Sequence, residues 1–433
     1  MVARSKKLLK KINNKFIKNI MVLMSGSAAA QLLLILSSPL LTRLYTPDQF
    51  GQLQLFTSFT TILIVILTLK YEVAVVLPKN KKKALNLISL SFTITLIISI
   101  LSFFFFFIFS EFIANVLNSP GLEPWLVFIP LTALFLGGYK TLEYWNTRNS
   151  NFKKISYAKI NQSLVTLITQ IFIVFIFNTL NGLIMGQILG RITTFLSLFT
   201  AFLKNDIKEL MKVTNVKRMI SVAREYRVFP FYTTSQSLVN SLSKNATPFI
   251  LGAIYGSAIV GFYALALKVL KIPADLISEA FRQVYLKKIS EKINRKEPII
   301  IHIKKATIIL ALIALLPSFA LLFTSPSLFS FAFGEEWREA GQYTSALVIW
   351  VYFAFINTPT IATMQALRIQ KAHLLLEMIF FVLRVLLMIL ASINYSALIG
   401  ILVYSVVSSI YNLLLIFYGN YLIKKSYNVG VNV

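Results

Sequence analysis

The feature that most constrains this chain is the grouping of its apolar residues, which fall into runs of roughly 20 separated by short polar stretches. A helix rises about 1.5 Å per residue, so such a run crosses the ~30 Å hydrocarbon core of a bilayer. Every backbone amide inside that core must be satisfied within its own segment, so the runs are read as helices. Spans are expected near 20–42, 50–69, 85–109, 125–145, 155–177, 182–203, 230–251, 257–277, 306–328, 343–364, 372–393 and 396–421. The fold class expected is therefore an all-α polytopic membrane protein with about twelve transmembrane helices. Only 14% of the residues are charged, well below the roughly 25% of a soluble domain. The basic stretch before Ile20 resembles the start of a signal peptide. The first run is span-length and many others follow, so an uncleaved first helix is the expectation.

Charge placement tests the span list independently. Cytoplasmic loops of membrane proteins carry an excess of Lys and Arg. With the N-terminus in the cytoplasm, twelve spans return the C-terminus there. All but five of the 43 Lys and Arg then lie in cytoplasmic segments and their flanking helix ends. Arg43 and Arg338 fall outside, and Arg191, Lys244 and Arg384 fall within spans. The exterior side carries Asp48, Glu111, Glu123, Glu335, Glu336 and Glu339. The net charge of +27 is thus a topology signal, and no nucleic-acid partner is expected.

The chain also repeats. Residues 38–55 read SPLLTRLYTPDQFGQLQL and residues 247–265 read TPFILGAIYGSAIVGFYAL. Both carry Ser/Thr-Pro, two large apolar residues, an aliphatic–Tyr pair and a Gly four residues before Leu. They fall at the first-to-second and seventh-to-eighth helix junctions. Two six-helix lobes in the same orientation, a parallel pseudo-two-fold repeat, are expected. The expected organisation is a basic cytoplasmic segment (1–19), an N-lobe (20–203), an inter-lobe linker (204–229), a C-lobe (230–421) and a cytoplasmic tail (422–433).

Enzyme signatures are absent. The chain has no Cys, two His and no Walker-type phosphate loop, so neither a cofactor nor a transition-metal site is expected. The informative residues are the charges inside spans, each costing about 2.5–3.5 kcal/mol at a helix centre on insertion scales. Lys244 shares a helix face with Gln236, Asn240 and Thr247, at i, i+4, i+8 and i+11 spacing. The pseudo-equivalent face of helix one carries Ser27 and Gln31. Val239 and Leu242 are expected on the packed side of helix seven. Two polar stripes suit the walls of a central cavity; the alternative is interhelical hydrogen bonding. Arg384 and Arg191 are further cavity candidates, although Arg191 follows Gly182, Gly186 and Gly190, a row that suits close helix packing. Pro39, Pro248 and Pro273 are candidate gating kinks. Lys268 and Lys271 are candidate gate residues, and Lys271 has Asp275 four residues on.

Four segments carry a resemblance: LLTRLYTPDQFG (40–51), KYEVAVVLPKNKKKA (70–84), YWNTRNSNFKKISYAKI (144–160) and the stretch from Phe229 to Ile277. They resemble bacterial polysaccharide and O-antigen flippases of the multidrug/oligosaccharidyl-lipid/polysaccharide exporter superfamily. The resemblance implies a MATE-like, V-shaped pair of lobes around a central cavity. It implies an undecaprenyl-pyrophosphate-linked oligosaccharide as cargo, flipped to the outer leaflet of the cytoplasmic membrane. It further implies membrane lipid, and the polymerase and glycosyltransferases of the same pathway, as partners. Arg43 and Lys244 match the basic cavity positions of the family. The alternatives are a multidrug/cation antiporter, which needs carboxylates inside the spans, and a membrane-embedded sugar polymerase or ligase, which needs a sizeable exterior loop.

Overall fold

A computed structural model describes residues 25–176, 181–295, 297–367 and 369–431. The expected 1–19 segment, the first residues of the first span and residue 177 lie outside them. The described residues form helices joined by short turns, with no strand among them. Twelve helices are long enough to be spans. They are α1 (Ser25–Leu44), α2 (Pro47–Thr68), α3 (Lys81–Val116), α4 (Ile129–Arg148), α5 (Phe152–Ile176) and α6 (Gly182–Asn205), then α7 (Thr234–Tyr255), α8 (Ser257–Asn294), α9 (Ile300–Phe333), α10 (Arg338–Ile356), α11 (Gln370–Asn394) and α12 (Ala397–Val431). Ten are apolar enough to cross a membrane by composition, and α4 joins them when counted with Pro120–Leu126, bent from it by 51°. The twelfth, α7, has the length but is too polar. The chain is thus an all-α polytopic membrane protein with six long helices on each side of the 206–233 connection.

Local chemistry sets the helix ends. Thr46 and Gln49 form a reciprocal capping box at the start of α2. Asn80 and Asn181 cap α3 and α6 through their side chains. The α7–α8 turn passes through Gly256 at φ 84°, a left-handed conformation that side chains resist.

Several helices outrun the hydrocarbon. α3 has 36 residues, about 54 Å of helix. The 278–305 connection is mostly the continuation of α8 to Asn294 and the start of α9 at Ile300. Ion pairs such as Arg282–Glu279 at 2.7 Å support the emergent turns. The 204–229 segment folds into two short helices, Ile207–Val213 and Val216–Glu225. They are fixed to α3 by Lys81 with Asp206 (3.2 Å) and Glu209 (2.5 Å), by Lys83 with Glu225 (2.9 Å), and by Ser89 with Thr214 (2.8 Å).

Two compact units result, 1–249 and 250–433, meeting within α7 one residue after Pro248. In the first, Trp145, Leu142, Leu85, Ile88 and Phe202 lie in one buried apolar cluster. In the second, Tyr285, Ile289, Ile303, Tyr411 and Leu415 form another. The repeat is physical as well as textual. The Tyr45 hydroxyl at the end of α1 donates to the Gln170 carbonyl of α5 at 2.5 Å. The Tyr255 hydroxyl at the end of α7 donates to the Ser392 carbonyl of α11, also at 2.5 Å. The aliphatic–Tyr pair shared by the two sequence segments supplies the same interhelical tie in each half.

Candidate functional site

The polar helix α7 is held along a narrow arc. Ser241 and Asn245 are buried, and the Ser241 hydroxyl donates to the Thr61 carbonyl of α2 at 3.3 Å. Phe249 packs on Phe59 with ring centroids 4.7 Å apart. Gln236, Asn240 and Lys244 are exposed, but Thr247, the fourth residue of that face, is buried, so the open stripe ends at Lys244. Val239 and Leu242 are also exposed, at 39% and 45%, so the packed face is not theirs. It belongs to the polar residues Ser241 and Asn245, with Thr234 two turns earlier, which lie about a third of a turn from the stripe. Lys244 stands about 15 Å into the helix, and no described residue forms an ion pair with it.

The remaining candidates separate. Gln31 and Arg43 are exposed on α1, and Pro39 is the second residue of the helical stretch that resumes at Ser38 after an interruption at Ser37. Pro248 and Pro273 lie inside continuous helices. Arg384 is buried, pairs with Glu377 at 2.5 Å and stacks over the Tyr411 ring at 5.5 Å. It is internally compensated, as a buried charge needs to be. Lys271 lies over the Trp350 ring at 5.3 Å and not in a pair with Asp275; Lys268 is half-buried on the same helix. The Gly182, Gly186 and Gly190 row is a packing face. A Cβ on Gly190 would meet Thr166 Oγ1 at 2.0 Å, and one on Gly186 the Thr166 carbonyl at 2.7 Å, so α5 and α6 touch through it.

Ser27 and Arg191 converge on a cluster that the sequence reading passed over. Glu143 of α4 pairs with Lys140 at 2.8 Å and with Lys159 of α5 at 3.2 Å, and accepts from the Tyr139 hydroxyl at 2.9 Å. Lys159 also donates to Ser27 Oγ at 3.4 Å, beside the close approach of α1 to α5 at Gly26 and Ser156. Arg191 of α6 interacts electrostatically with Tyr139, and its Nε is buried without a hydrogen-bond partner among the described residues. Lys140 and Lys159 belong, by sequence, to the basic charge flanking the cytoplasmic helix ends. The i, i+3 spacing of Lys140 and Glu143 was the available signal that they act together. Nearby, Glu72 is buried 3.9 Å from Lys70, and burial raises its carboxyl above the ordinary range, only partly offset by that lysine.

A cavity of about 760 Å³ lies at the other end of the same unit. Its polar wall is a closed network, with Gln52 donating to Asp48 (2.6 Å) and Asn181 donating to Gln52 (2.9 Å) and to the Gln49 carbonyl (3.0 Å).

The fold is shared with solved transporters. The chain matches the structure of the lipid II flippase MurJ in an inward closed conformation with a TM-score of 0.66 at 16% identity, over 94% of this chain and 86% of that one. It matches an inward-facing multidrug resistance MATE family transporter of the MOP superfamily with a TM-score of 0.64 at 13% identity, over 93% and 94%. An outward-facing structure of such a transporter gives 0.61 at 14%, over 95% and 96%. No curated protein matches the sequence. Residues 40–342 match the family model described as polysaccharide biosynthesis protein. With that match over most of its length, the chain belongs to the polysaccharide biosynthesis protein family.

Proposed function

We propose that the protein is a flippase, moving a polyprenyl-pyrophosphate-linked oligosaccharide from the cytoplasmic to the outer leaflet of a bacterial cytoplasmic membrane by alternating access. The glycan then feeds a surface polysaccharide of the O-antigen or capsule type. Both termini lie in the cytoplasm in this reading.

The observation that carries it is the sign of the uncompensated charge. Lys244 stands deep along a span-length helix, exposed and unpaired, on a face shared with Gln236 and Asn240. Such a face is costly against lipid and favourable against water or an anionic, hydroxyl-rich cargo. The family match supplies the glycan context. A cation antiporter would use free carboxylates at comparable depth. Glu143 and Glu377 are both already paired with cations. A polymerase or ligase would need reactive exterior groups. Glu335 is engaged by Arg338 at 3.1 Å, and Glu339 by Tyr343 at 2.5 Å.

The test is complementation of a strain lacking its own O-antigen or capsule flippase. Restored surface glycan supports the reading. Unchanged glycan with gained resistance to cationic drugs would replace it with the antiporter.

A further inference from the structure

The α4–α6 cluster has more cationic than anionic charge. Lys140 and Lys159 share one carboxylate, Glu143; Arg191 faces Tyr139, whose hydroxyl donates to Glu143, and keeps a buried Nε with no partner among the described residues. Glu72 lies close enough to Lys140 to interact, but it is paired with Lys70 and burial favours its neutral form. The ammonium groups remain reachable, since the Lys140 and Lys159 side chains are 42% and 28% exposed. Lys140 lies about 12 Å from the C-terminal end of α4, and Lys159 about 10 Å from the start of α5. Those two ends are joined by the 149–151 turn, so the cluster sits near one end of the unit, away from the 760 Å³ cavity.

Two lysines held on one carboxylate, with a guanidinium reaching it only through Tyr139, form an arrangement that a second, more highly charged anion can enter by displacing the carboxylate. A diphosphate carries more charge and more acceptor oxygens than a carboxylate, and lysine binds it as a mobile point charge. We propose that Lys140, Lys159 and Arg191 form a diphosphate-binding site whose resident counter-ion is Glu143. The side chain of Glu143 occupies the site when it is empty and yields it to the ligand. Because Lys159 also holds Ser27 of α1, ligand capture draws on the tie between α1 and α5. This inference rests on the proposed cargo for its biological ligand, but the site is defined by its own chemistry.

The experiment is binding of inorganic pyrophosphate and of farnesyl diphosphate to the purified full chain in zwitterionic nanodiscs. A parallel titration uses nanodiscs containing phosphatidylglycerol. Glu143→Gln removes the competitor and is expected to bind both diphosphates about fivefold more tightly. Lys159→Gln and Arg191→Gln are expected to weaken them at least tenfold, with Arg191→Lys recovering part. A gain in affinity cannot arise from misfolding, so the Glu143 variant keeps the test decisive if the arginine variants are unstable. Unchanged or weaker binding by Glu143→Gln would overturn the counter-ion role. Diphosphate binding indifferent to both Lys159→Gln and Arg191→Gln would overturn the site. Abolition of binding by phosphatidylglycerol would reassign it to a lipid headgroup. Diphosphate binding in a protein that fails to restore glycan would sink the flippase reading and leave the site standing.

Discussion

Lys244 and Arg384 show how little a buried-looking charge says until its partners are known. Both are cations well inside long helices. Arg384 is held by Glu377, the Phe380 carbonyl and the Tyr411 ring, whereas Lys244 is exposed and unpaired. The two should therefore fail differently when changed. Lys244→Ala is expected to abolish glycan export at a normal protein level, Lys244→Arg to retain part of it, and Lys244→Glu to be worse than Ala. Arg384→Ala leaves Glu377 without its cation and should lower protein stability by about 1–3 kcal/mol, less than the cost of breaking a fully buried pair because the Glu377 side chain is 32% exposed. Surface-glycan display, normalised to membrane-inserted protein, separates the two outcomes; normal display by Lys244→Ala would remove that lysine from the mechanism. Glu72 gives a pH prediction. Its carboxyl is raised by burial, so the folded state holds the proton to higher pH than the unfolded chain does. Wild-type stability should then fall as pH rises above the ordinary glutamate range and level off above the raised value. Glu72→Gln should melt higher than wild type near neutral pH and lose that advantage in acid. An advantage independent of pH would contradict the assignment.

At the scale of elements, the spans were legible because twenty-residue apolar runs leave the backbone no alternative in lipid. The junction tyrosines Tyr45 and Tyr255 were visible as a repeated aliphatic–Tyr pair, and the structure gives both the same bond to a helix four positions later in the bundle. The packed side of α7 was not legible. Apolar Val239 and Leu242 suggested it, yet Ser241 and Asn245 form it, because small polar side chains let helices approach and hydrogen-bond where lipid offers no hydrophobic drive. The α4–α6 cluster was hidden for another reason. Lys140, Glu143 and Lys159 lie close enough to helix ends to count as loop charge, and only the folding of α5 back beside α4 joins them. For α7 the expectation is specific. Single cysteines at Gln236, Asn240 and Lys244, in a chain with no native Cys, should react with hydrophilic thiol reagents. Cysteines at Ser241 and Asn245 should not, and equal protection of all five would show a helix packed on every side.

At the scale of the whole molecule, two six-helix halves share the junction tyrosine's bond to a carbonyl but differ in charge. The first half holds the lysine–glutamate–lysine cluster, and the second holds the exposed Lys244 on its first helix and the compensated Arg384. In the proposed account an anionic headgroup therefore meets cations from both halves. The central claim is that the protein moves a diphosphate-linked glycan across a bilayer. The most direct measurement reconstitutes the purified chain in liposomes with a fluorescent polyprenyl-diphosphate oligosaccharide in both leaflets. A membrane-impermeant glycosidase then reports how much of the glycan reaches the outside. The account predicts cleavage beyond the outer-leaflet half in protein-containing vesicles, lost with Lys244→Ala; cleavage that stops at that half, with or without the protein, would contradict it.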